Sequence, residues 1–222
     1  MVRRLPAGVV LVAALGISLP AAAQTEPPRP SPSENGAYVH LGAGALLFDA
    51  NAQVYSGSAV LPGASVRIPG NGTLITEFGY RWRRLGVSLT GGIPPLASVK
   101  GTGTLAPLGE LGKIRYGPTV LTIHYHVGGF GRWEPYVGGG AVLLLVFDNR
   151  DGAVSRLKVD NHWGGAVQAG VEYRVAQRLS LYLDFKKAAL KTNATAVLGN
   201  TPIRANIRLN PAVVSGGLSL RL

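Results

Sequence analysis

The chain has 222 residues, no cysteine, 15% charged residues and a formal charge of +11, with a mean hydropathy of +0.21. Without cysteine, a disulfide framework and any cysteine-based metal site are excluded, so stability must come from burial or closed strand pairing. The basic residues are scattered over turns and loops with no dense patch, which argues against nucleic acid and leaves anionic lipid headgroups, lipopolysaccharide included, as electrostatic partners.

Arg3 and Arg4 form a positive start, Ala7 to Leu19 an apolar run, and Ala21-Ala22-Ala23 a small-residue cleavage site, so residues 1–23 read as a secretory signal peptide. The alternative, an uncleaved anchor helix, is disfavoured because the run is shorter than the roughly 20 apolar residues a membrane helix needs. Loss of Arg3 and Arg4 lowers the formal charge to +9. Residues 24–36 are a proline-rich periplasmic segment with no periodicity, expected to be extended. Residues 37–222 carry the fold.

From Ala37 onward, runs of period two alternate with Gly/Asn/Pro-rich breaks. The first three runs, about 37–48, 72–82 and 85–93, place Leu46 and Phe48, then Ile75, Glu77 and Arg81, on one face. The fourth sets Leu121, Ile123, Tyr125 and Val127 opposite Thr122, His124 and His126. The fifth, 133–147, reads as apolar on both faces, with Val142, Leu144 and Val146 inward. In the sixth, Trp163, Val167, Ala169, Val171 and Tyr173 oppose Gln168, Glu172 and Arg174. The seventh opposes Leu179, Leu181, Leu183 and Phe185 to Ser180, Tyr182, Asp184 and Lys186, and the last opposes Leu218, Leu220 and Leu222 to Ser219 and Arg221.

Connections alternate strictly. Arg83-Arg84, Gly128 to Arg132 and Ala176 to Arg178 are short, whereas 50–71, 94–114, 148–161 and 189–205 are long. Eight such runs predict an all-β fold: an eight-stranded antiparallel transmembrane β-barrel with short periplasmic turns and longer extracellular loops. Outward-parity Tyr80, Trp82, Tyr125, Trp133 and Tyr173 lie near the short-turn ends, and Phe147, Trp163 and Phe185 near the long-loop ends. Two aromatic belts match the two interfaces of a bilayer. A soluble lipocalin-like barrel shares the parity but accounts for neither the belts nor the loop alternation.

Pro118-Thr119 with His124-Tyr125-His126, then Glu134-Pro135-Tyr136-Val137-Gly138-Gly139-Gly140, resemble strands four and five of the OmpW outer-membrane family. Trp163-Gly164 through Tyr173, and Ile207-Arg208-Leu209-Asn210-Pro211 with Gly217 to the end, resemble strands six and eight. The resemblance implies a narrow, largely hydrophobic lumen and passive passage of small hydrophobic solutes. It also implies handling by the outer-membrane assembly machinery, although Leu222 replaces the family's terminal aromatic residue.

An eight-stranded interior holds side chains or one small ligand, not an aqueous pore. Gly42, Gly44, Gly138, Gly140, Gly164 and Gly170 thin the inward face and are expected to make room. Glu77, Arg81, His124, His126, Glu172, Arg174, Asp184, Lys186 and Arg221 face inward toward the short-turn half, where opposite charges would satisfy one another as a polar plug. Leu46, Phe48, Ile75, Val142, Leu144 and Val146 would form an apolar vestibule above it, from which a hydrophobic molecule leaves sideways through the wall. The competing reading has these side chains simply filling the barrel.

No catalytic, cofactor or metal site is assigned. His124 and His126 share a face, but Ser215 and Ser219 are not evident neighbours, and the histidines are expected to hydrogen-bond into the plug. The other reading is an interaction protein, a receptor or adhesin acting through the long loops. Oligomeric state is not encoded in these features.

Overall fold

The computed structural model describes residues 35–128 and 130–222; the expected signal peptide and nearly all of the proline-rich segment lie outside the described residues. In chain order the strands are β1 (Gly36–Leu47), β2 (Asn51–Ser56), β3 (Ala59–Val60), β4 (Ala64–Arg67), β5 (Asn71–Trp82), β6 (Leu85–Gly92) and β7 (Leu96–Gly103). They continue as β8 (Glu110–His126), β9 (Trp133–Asp151), β10 (Ser155–Val159), β11 (His162–Arg174), β12 (Leu179–Leu198), β13 (Thr201–Arg208) and β14 (Ala212–Arg221).

Eight of them close a barrel in the order β1-β5-β6-β8-β9-β11-β12-β14, with Tyr38↔Arg221 to Leu47↔Ala212 sealing the first strand to the last. Closure removes the unpaired edges that hydrocarbon does not tolerate. The sequence periodicity carries straight into the wall: along β12 buried and exposed positions alternate almost without a break.

The sidedness decides between the two barrels weighed above. Ile123, Val167 and Leu183 are 64%, 60% and 58% exposed, whereas Glu77, Asp184 and Lys186 are 3%, 2% and 5% exposed. A soluble barrel would bury the first set and hydrate the second. Only a lipid surround makes this arrangement favourable. The belts stand where expected: Tyr80, Trp82, Tyr125 and Trp133 point outward at the short-turn end, Phe147, Trp163 and Phe185 at the other.

Three expectations change. First, the four long connections are not simply loops. They fold into β2–β4, β7, β10, β13 and the upper ends of β8, β9 and β12, which raise two facing sheets above the barrel. Short alternations such as Ala52/Val54, Val66/Ile68 and Ile203/Ile207 supply their inward faces. The β9–β10 seam is closed by side chains instead of a ladder: Asp151 accepts from the N–H groups of Arg156 and Leu157 at 2.9 Å, and Asn149 from Val159 at 3.1 Å. Those two N–H groups hold the Asp151 carboxyl below the usual carboxylate range.

Second, β9 is not apolar on both faces, because Glu134 and Tyr136 are buried inside. Third, the inward glycines do not leave open space. Tyr38 and Tyr136 lie over their cross-strand partners Gly79 and Gly170, Tyr182 OH fills the space at Gly42, and the room at Gly44 and Gly138 is taken by Ile75 and His124. Rings laid over glycines fix register while filling the lumen.

At Gly140 the neighbour is backbone: an added Cβ would fall on Leu121 O and come within 2.8 Å of Thr122 Cα. Gly140→Val is therefore expected to cost about 1–3 kcal/mol through strand displacement. Urea titration of the refolded barrel, followed by its heat-modifiable electrophoretic mobility, reads the change, and an unchanged midpoint would contradict it.

Candidate functional site

The barrel interior divides into two halves of opposite chemistry. At the short-turn end, Glu134 on β9 pairs with Arg81 on β5 and Arg174 on β11, with Arg221 on β14 3.8 Å away. Above this, Lys186 Nζ donates to Glu77 Oε2 at 2.8 Å and to Asp184 Oδ1 at 2.7 Å. Thr90 adds a donor to Glu77 at 2.6 Å, and Gln168 links Asp184 to Thr122 and, through it, to Ser88. His40 stands between Glu77 and Glu172, 3.4 and 3.2 Å from their oxygens.

Four carboxylates, Glu77, Glu134, Glu172 and Asp184, thus meet four cations, Arg81, Arg174, Lys186 and Arg221, in a network that reaches all eight barrel strands, with β1 entering through His40, β6 through Thr90 and β8 through Thr122. Buried charge is tolerable in this density of partners and very costly outside it. The charged residues that parity placed in this half, Glu77, Arg81, Glu172, Arg174, Asp184, Lys186 and Arg221, all lie in this network. Glu134, the carboxylate that gathers the arginines, was missed, as were Tyr38, His40 and Tyr136, whereas Tyr182 stands on the inward face that parity gave it.

The histidines divide differently from the expectation. His124 Nε2 lies 3.2 Å from Tyr38 OH, but neither ring nitrogen of His126 has a hydrogen-bond partner. His126 packs against the rings of His124 and Tyr136, at 5.0 and 5.1 Å between centroids. It is held as an aromatic ring. Among the described residues no group of three or more His, Cys, Asp or Glu could hold a metal ion.

At the long-loop end the interior is apolar. Leu46, Ile75, Val142 and Leu144 are 1–5% exposed, and Phe48 and Val146 pack beside them. All but Ile75 merge with side chains from the raised sheets, among them Val54, Val66, Val99, Ile114 and Ile207. Phe48 and Leu144, with those side chains of the raised sheets, line an apolar cavity of about 60 Å³ under the extracellular mouth; Leu46, Ile75, Val142 and Val146 lie outside its lining. Phe48 and Tyr116 meet edge to face at 5.4 Å at its base, and Tyr116 OH takes a 3.4 Å hydrogen bond from Asn71.

Below that pair the wall is interrupted. The β6–β8 ladder stops at Thr90↔Val120 and pairing resumes only at Leu96↔Arg115 on β7. Between them Gly91-Gly92-Ile93-Pro94-Pro95 faces Gly117-Pro118-Thr119, with one backbone hydrogen bond, Tyr116 N–H to Pro95 O, at 3.3 Å. Pro94, Pro95 and Pro118 lack the N–H that a ladder requires. A space of about 30 Å³ opens there, lined by Leu46, Ile75, Ile93, Pro95, Pro118 and Val120, with Lys186 at its floor. In the sequence pattern Gly91, Gly92 and Ile93 end the third run and Pro94-Pro95 open the long connection that follows.

The OmpW family model matches residues 62–222. The dibenzothiophene metabolism operon protein PahQ of Pseudomonas aeruginosa is 34% identical over 174 residues, 77% of this chain and 81% of its own length. The outer membrane protein AlkL of Ectopseudomonas oleovorans is 33% identical over 164 residues, 73% of this chain and 71% of its own. Among solved structures, OprG of Pseudomonas aeruginosa shares the fold at a TM-score of 0.78 and 21% identity, covering 84% of this chain and 96% of that one. AlkL in DMPC bilayers aligns at a TM-score of 0.68 and 28% identity, covering 90% and 98%. With the outward apolar band, these likenesses place the molecule in the outer membrane of a Gram-negative bacterium.

Proposed function

The chain belongs to the OmpW family of outer-membrane proteins, and from that premise we propose that it is a passive conduit delivering small hydrophobic molecules from the cell exterior sideways into the bilayer. The observation that carries this reading is an apolar cavity under the raised sheets with a second apolar space below it at the wall interruption, the latter bounded by Lys186 of the charged cluster. A solute entering between the raised sheets meets only apolar surface down to Leu46 and Val120. Further descent would require desolvating the Lys186–Glu77–Asp184 cluster with nothing to replace its hydrogen bonds, which is prohibitive for an apolar molecule. The wall between Ile93/Pro95 and Gly117/Pro118 offers an exit of matching polarity.

The relative named for a dibenzothiophene metabolism operon fits this solute class, since dibenzothiophene is a flat apolar aromatic. The reading includes no reaction. Purified protein is expected to hydrolyse lipid no faster than its His124→Ala variant. The outward face contacts membrane lipid and lipopolysaccharide, and the last strand is delivered by the outer-membrane assembly machinery.

Reconstitution tests the proposal. Vesicles carrying the barrel should take up an environment-sensitive hydrophobic dye several-fold faster than empty vesicles, with no gain in glucose permeability. Equal dye rates would overturn the conduit. A large glucose leak would show instead that the charged floor is open to water.

A further inference from the structure

The exterior of β12 changes chemistry abruptly with height. Leu181, Leu183 and Phe185 face hydrocarbon, and Lys187 and then Lys191 follow on the same face. Lys191 is the cross-strand partner of Arg208 on β13, both exposed. Like charges directly opposite on a sheet repel. Among the described residues no carboxylate lies within ion-pair distance of either one.

A second pair of this kind, Arg67↔Lys100 on β4 and β7, makes a control. Lys100 there also faces Glu110 across the β7–β8 ladder, so that pair has an anion beside it. The Lys191–Arg208 pair has none, and it forms part of an outward hollow of about 510 Å³ with Asn51, Gln53, Asn193 and Asn206. Amides bracketing two unneutralised cations suit an anionic group carried on a hydroxyl-rich scaffold.

Height gives the source. One residue above the Gly164↔Leu190 pair, Trp163 on β11 and Lys191 on β12 stand on adjacent strands, so the cations sit level with the outer aromatic belt. That is where lipid headgroups begin. We propose that this outward face of β2, β12 and β13 binds a phosphorylated glycolipid of the outer leaflet. Its phosphate sits between Lys191 and Arg208, its sugar hydroxyls on the flanking amides, and its acyl chains run down past Phe185. The site deepens the lipid-contact reading above and does not depend on solute passage.

The test uses the full barrel in detergent with a bisphosphorylated glucosamine-disaccharide lipid, its dephosphorylated form, and inorganic phosphate as competitor, with bound lipid counted by native mass spectrometry. Retention of the phosphorylated lipid should exceed that of the dephosphorylated form at least tenfold. It should fall at least tenfold in K191Q/R208Q, stay unchanged in R67Q/K100Q, and resist millimolar inorganic phosphate. Equal retention of the two lipids, equal loss in both double variants, no loss in K191Q/R208Q, or displacement by inorganic phosphate would each overturn the assignment. Dye uptake by vesicles of K191Q/R208Q should match wild type, so failure of lipid binding and failure of the conduit are separate results.

Discussion

Replacing Lys186 with methionine is expected to destabilise the barrel by about 3–5 kcal/mol, the usual consequence of removing one partner from a buried ion cluster. Lys186 is 5% exposed and is the cation shared by Glu77 and Asp184, themselves 3% and 2% exposed. Without it, Glu77 keeps Thr90 and Tyr38, and Asp184 keeps Gln168, but two carboxylates face one another across the lumen with no positive charge between them. Methionine preserves most of the volume, so the effect reports charge and not packing. Adding Glu77→Gln and Asp184→Asn to Lys186→Met should recover most of the loss, because a whole ion cluster replaced by neutral groups is often close to neutral in stability. Urea titration in lipid vesicles reads all three states. A single-variant loss below about 1 kcal/mol would mean that the network is held mainly by its arginine layer and not by Lys186.

Much of this architecture was legible because a closed barrel in lipid leaves each residue only two directions, and period-two parity reports which. Glu77, Arg81, Glu172, Asp184 and Lys186 are inward in the sequence pattern and buried in the structure for one reason: the alternate face meets hydrocarbon. The belts were legible on the same ground. Glu134 was hidden by the apolar run that follows it, although counting down by twos from Val142 through Gly140, Gly138 and Tyr136 leads to it.

Above the membrane the constraint relaxes. There, short alternations such as Ala52/Val54 are broken by turns at Gly57, Gly63 and Gly103, all with positive φ, and strand signals of two to eight residues do not stand out from loop. Two features depended on partners that no local pattern names. The rings of Tyr38 and Tyr136 fill the lumen only because register sets each over its glycine, Gly79 and Gly170. The wall opening likewise exists because Pro94 and Pro95 on one strand come to face Pro118 on the next. Either segment alone would read as an ordinary break.

That opening is the hinge of the functional account, and the chain's lack of cysteine allows it to be closed at will. A Cβ added at Gly117 would stand 3.8 Å from Pro94 Cβ, the separation of about 3.8 Å that disulfides favour. P94C/G117C therefore places one covalent staple across the gap without touching the chamber or the charged floor. Reduced, the variant should carry hydrophobic dye into vesicles at nearly the wild-type rate; oxidised, it should fall to the rate of empty vesicles and recover on reduction. Dye uptake at full speed through a fully oxidised barrel would contradict lateral release.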